Sequence, residues 1–205
     1  MTDTKTVAKK EAVTAVAVAT EKPVGFEGLD ANEFAPPVIK LWQKMTKGNI
    51  EGGVLGQWYE VNSGKAIGTT LIFNLLAVKN LKFTKEDKKT GDIKIQSVKN
   101  LLIYVRGSIL PKVLSLSVTS FNGLRKVLTA AYEASVQNGG LPLYAFDITA
   151  TTEVTSNENG DYAITNFTLG KPVSNVGLKN LSGLFDQFGK TFAAGPEIST
   201  EEAMK

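Results

Sequence analysis

Between Val38 and Leu169 several runs alternate apolar and polar residues with period two, and one stretch turns to helical spacing. Successive side chains of a strand point to opposite faces, so such a chain builds a sheet with one buried and one wet face. Ile93 and Ile95 oppose Lys94 and Gln96; Leu114, Leu116 and Val118 oppose Ser115 and Ser117; Phe146, Ile148 and Ala150 oppose Asp147, Thr149 and Thr151. Strands are predicted at 38–44, 54–61, 69–78, 92–98, 101–106, 113–119, 143–154 and 161–169. Asn62-Ser63-Gly64 is a hairpin signal between two β-rich runs. Residues 79–91, centred on Lys85-Glu86-Asp87-Lys88-Lys89, read as a solvated turn or hairpin tip.

The exception is 120–137, where Leu124, Val127, Leu128, Ala131 and Ser135 recur at helical spacing. Ser120 serves as the expected N-cap and Asn138-Gly139-Gly140 as the stop. A further helix is expected over 176–192 from Leu178, Leu181, Leu184, Phe185, Phe188 and Phe192. Gly177, Gly183 and Gly189 oppose it, each costing a helix roughly 1 kcal/mol relative to alanine. The chain therefore reads as mainly β with minor α, an OB-like β-barrel or sandwich of seven or eight strands. A tail at 1–24, one β domain at 25–175 and a C-terminal helix and tail at 176–205 complete the expected organisation.

The 205 residues include no cysteine and no histidine. Disulfides, thiolate or imidazole metal ligands, cysteine nucleophiles and Ser-His-Asp arrangements are thereby excluded, together with the commonest general acid/base. The expectation is a binding protein and not an enzyme, with no cofactor. No run reaches the roughly 18 apolar residues of a membrane span. Lys5, Lys9 and Lys10 before the run 12–19 resemble a secretion signal, but Asp3 and Glu11 interrupt it and the run is weakly hydrophobic. A cytoplasmic setting is expected.

A net charge of +3 hides a segregation. Residues 1–64 carry −1, residues 65–112 carry +7 and residues 113–205 carry −3. A concentrated basic stretch attracts polyanions. Aromatic residues interleave with it, as single-strand recognition requires: lysines neutralise phosphates while rings stack on unpaired bases. The candidate nucleic-acid contacts are Trp58, Lys65, Lys79, Lys82, Phe83, Lys94, Lys99, Tyr104 and Arg106, with Phe73 a further aromatic in the most apolar strand. Arg106 and Arg125 are the only arginines, which speaks against bidentate reading of guanine in a duplex groove. Lysine-rich hairpin tips also serve solubility, so charge alone does not decide the matter.

Other signals are weaker. Gly189-Lys190-Thr191 lacks the glycine spacing of a phosphate-binding loop. Asp92-Ile93-Lys94 matches half of a metal-dependent nuclease signature, with Glu60 the one upstream strand acid to complete it.

The order of segments carries a resemblance. Pro36-Pro37-Val38-Ile39-Lys40-Leu41-Trp42-Gln43 is followed by Gly56-Gln57-Trp58-Tyr59-Glu60-Val61-Asn62-Ser63-Gly64-Lys65-Ala66-Ile67-Gly68. Then come Leu110-Pro111-Lys112-Val113-Leu114-Ser115-Leu116-Ser117-Val118-Thr119-Ser120, the helix and the strand and turn 144–162. Over residues 25–175 this resembles bacteriophage replication and recombination-module proteins, some of them single-stranded-DNA-binding with an OB-like fold. The resemblance implies single-stranded DNA as ligand and phage replication or recombination proteins as partners, with homo-oligomer formation left open. The chain departs from the group in lacking a cysteine-rich segment near position 111, so no zinc role carries over. It also lacks an acidic C-terminal tip for recruiting partners. The alternative is a virion or host-interaction protein that docks another protein through a sheet edge or the C-terminal apolar segment.

Overall fold

The computed structural model describes residues 36–44, 50–86 and 93–194. The tails expected at 1–24 and from 197 onward, and the turn centre at 87–92, lie outside them. The described chain is mainly β. Its strands are β1 (Val38–Leu41), β2 (Trp58–Glu60), β3 (Ala66–Gly68), β4 (Thr70–Glu86), β5 (Ile93–Val105), β6 (Lys112–Ser117), β7 (Phe146–Asn157) and β8 (Gly160–Pro172). The helices are α1 (Val118–Gln137), α2 (Asn175–Leu184) and α3 (Lys190–Ala194), the last two joined by a π turn at Phe185–Gly189.

One sheet of eight strands runs in the order β3-β2-β1-β6-β5-β4-β7-β8. Every neighbouring pair is antiparallel except β1 and β6, which run parallel with Val38 beside Val113. The sheet curls until the chain leaving β1 meets β8. There the Gln43 amide donates to the Ala163 carbonyl at 2.6 Å and accepts from the Ala163 N–H at 2.8 Å. A side-chain amide thus replaces a strand along the seam of a half-barrel. Gly56 (φ +85°) packs on the same seam, facing Val154, Ala163 and Thr152. Replacing Gln43 with alanine leaves a buried peptide group without partners. The expected loss is about 1–3 kcal/mol, read as a lower urea midpoint at unchanged slope. An unchanged midpoint would mean that the amide does not hold the seam.

The inner face of the curl is the main core. Ile39, Trp58, Leu71, Phe73, Leu75, Leu101, Ile103, Leu114, Ile148 and Ala150 close around α1, which inserts Phe121, Leu124 and Val127. The helical spacing seen in the sequence therefore exists to plug the half-barrel. α1 starts earlier than expected: Ser117 caps it, its Oγ accepting from the Ser120 N–H at 3.2 Å. Val118 and Thr119 satisfy both the strand and helix patterns, and the cap at Ser117 decides between them. The stop is as expected, with Asn138 as C-cap and Gly139 and Gly140 at positive φ.

The outer face of β1, β4, β5 and β6 is covered by the C-terminal helices. Leu181, Leu184, Phe185, Phe188 and Phe192 pack on Leu76, Leu102, Val113 and Tyr104. The expected helix over 176–192 forms, interrupted at the π turn. Only one of its three glycines is demanded by packing: a Cβ at Gly189 would stand 2.6 Å from the Phe185 ring.

Candidate nucleic-acid interface

Of the stretch 79–91 expected as a solvated turn or hairpin tip, residues 79–86 are strand. β4 and β5 pair from Phe73 opposite Val105 to Glu86 opposite Ile93, without the separation into 92–98 and 101–106. Polar pairs bridge the middle: Lys79 opposite Asn100, and Asn80 opposite Lys99. Polar residues paired across the strands give no apolar alternation there. β7 pairs with β4 only over 70–74, and β6 pairs with β5 only over 98–103. A bulge between Leu75 and Ala77 lies where β4 leaves β7, and bulges bend and re-aim the strand that carries them. Beyond Leu81 the pair is a two-stranded ribbon. Its five paired residues, 82–86, project roughly 17 Å past the sheet.

The sequence-predicted contacts divide over this architecture. Lys82 lies on the ribbon and is exposed. Phe83 and Lys94 take ribbon positions by backbone register, Phe83 opposite Gln96 and Lys94 opposite Lys85. Lys79 and Lys99 sit at the ribbon's base. Lys99 bonds the Asn80 side chain and lies 5.1 Å from the Phe121 ring centroid. Alternation puts Lys79 of β4 on one face of the hairpin; Lys82 and Lys99 lie on the other. The contacts thus surround the ribbon instead of forming one flat patch.

Five of the named residues stand elsewhere. Trp58 is 0% exposed in the inner core, paired across strands with Leu41 and Gly68, so no base reaches its ring. Its expected stacking role is corrected: the residue belongs to the core because β2 places it on the inner face. Phe73 is core as well. Lys65 is exposed in the β2–β3 hairpin, separated from β5 by β1 and β6. Arg106 follows β5 at the end away from the ribbon, and its guanidinium pairs with Asp147 at 2.8 Å. Tyr104 is half-buried beside the C-terminal helices. It lines a recess of about 290 Å³ with Asn74, Arg106, Ser174, Gly177 and Asn180.

Several basic groups away from the ribbon are paired with carboxylates. Lys112 pairs with Glu60 at 2.9 Å. The Lys112 ammonium and the Ser63 hydroxyl, both bonded to Glu60, hold its carboxyl below the ordinary carboxylate value. Glu60 is thereby committed to this pair, and Asp92 lies outside the described residues. Among the described residues no cluster of acids is placed to hold a metal ion. Gly189-Lys190-Thr191 joins the π turn to α3, with Lys190 paired to Asp186 at 2.7 Å. No described helix is long and apolar enough to cross a membrane.

Two kinds of residue escaped the sequence reading. Lys85 was hidden inside a stretch read as a turn. Asn74 carried a visible signal: it is the one polar residue in the run 71–78, and it is buried. The chain matches no family model, no curated protein and no solved structure.

Proposed function

We propose that the chain binds single-stranded DNA without catalysis, gripping phosphates with the β4–β5 ribbon. The observation that carries this is the register of Lys85 opposite Lys94. Like charges directly across an antiparallel pair destabilise it, and a bound phosphate turns that repulsion into attraction. Exposed Lys82 adds to the same field, whereas Lys112 and Arg106 are already paired with carboxylates. Diffuse lysine contacts follow the backbone and carry little sequence selectivity. The paucity of arginine argues for single strands over groove reading. The setting that fits the segment order is bacteriophage replication or recombination, in the host cytoplasm. Titrating a labelled thymidine 30-mer at increasing salt tests the reading: binding that weakens steeply supports it, and absent or salt-insensitive binding overturns it.

A further inference from the structure

The recess beside the start of α2 is built of groups that nothing in the ribbon reading uses. Asn74 is only 4% exposed and lines it. Its amide N–H groups are spent, donating to the Phe146 carbonyl and to Asp147, both at 3.0 Å. With both N–H groups engaged, the carbonyl oxygen is the Asn74 side-chain atom available to accept a hydrogen bond in the recess. Around it stand the Arg106 guanidinium, held by Asp147, and the Asn180 amide; Val173, Leu181 and the Tyr104 ring provide apolar walls.

The site asks for a flat, partly apolar group that offers a hydrogen-bond donor to Asn74 and an adjacent acceptor to Arg106 or Asn180. The Watson–Crick edge of every nucleobase carries such a donor beside such an acceptor, and in a duplex that edge is occupied by the partner base. We propose that the recess receives one unpaired nucleobase of the bound strand. The proposal rests on the single-strand reading above. It gives that reading a means of rejecting duplex DNA that phosphate contacts alone do not provide.

The test compares a fluorescein-labelled thymidine 20-mer with an abasic deoxyribose-phosphate 20-mer, both titrated against the full chain. The wild type is expected to prefer the thymidine oligomer about tenfold, the scale of one base contact. Gly177→Leu fills the recess. Its added Cβ meets Val173 at an ordinary 3.4 Å, and leucine favours the helix. The preference should fall to within about twofold, with abasic binding unchanged. Asn180→Ala, at an exposed position, should lower it about threefold. Equal wild-type affinity for both oligomers, or a preference that survives in both variants, overturns the recess and leaves the ribbon reading intact. No binding of either oligomer overturns both.

Discussion

Replacing Lys79, Lys82, Lys85 and Lys94 together with glutamine is expected to weaken binding of a thymidine oligonucleotide about two-hundredfold near 0.15 M salt. Each phosphate neutralised on a single strand contributes about 0.7 to the slope of log K against log salt. Four lost contacts therefore lower the slope by about three and affinity by about two orders of magnitude at that ionic strength. The fold should be unaffected, because these positions lie at the base of the hairpin and on the ribbon, away from the packed faces of the sheet. Relief of the Lys85–Lys94 repulsion should if anything firm the ribbon. Circular dichroism and the urea midpoint check the fold; anisotropy titrations at several salt concentrations check the slope. A variant that binds with the wild-type slope would show that the phosphates lie elsewhere.

The second large effect is on stability. Trp58 is fully enclosed on the inner face, in a strand of three residues, among Ile39, Leu71, Leu101 and the α1 side chains. Trp58→Ala should cost about 3–5 kcal/mol, the range for emptying an aromatic site in a core. For a domain of marginal stability that is a large fraction of the whole. Trp58→Phe should cost much less, since the indole N–H makes no hydrogen bond that the substitution would break. The phenylalanine variant should bind oligonucleotide as the wild type does. Loss of binding at unchanged stability would return Trp58 to the interface and contradict its place in the core.

Both results turn on how residues divide between core and ribbon, and the sequence discloses that division unevenly. Alternation revealed strands whose two faces differ in burial, as at 114–117 and 146–151. Helical spacing revealed α1 for the same reason. On the β4 side the charged run 79–86 offers no apolar alternation and reads as a turn, whereas Ile93 and Ile95 disclose the β5 side. Trp58 and Tyr59 are both buried, one on each face of β2, so alternation offered no way to tell a stacking ring from a core ring. Segregation of charge into residues 65–112 was visible from composition alone. Its placement around a projecting hairpin depended on where β6 and β7 stop pairing, a long-range fact that no local pattern encodes. Asn74 was legible, as a single polar residue in an apolar run, but its recess depends on the C-terminal helix crossing the sheet near Tyr104.

The most direct test of the central claim is a competition titration of the full chain with a labelled thymidine 30-mer. Unlabelled single strand and unlabelled duplex of equal length serve as competitors, across a range of salt concentrations. The account predicts saturable binding whose log K falls linearly with log salt, with duplex competing at least tenfold less well than single strand. Equal competition by duplex, or no binding of either at low salt, would contradict it.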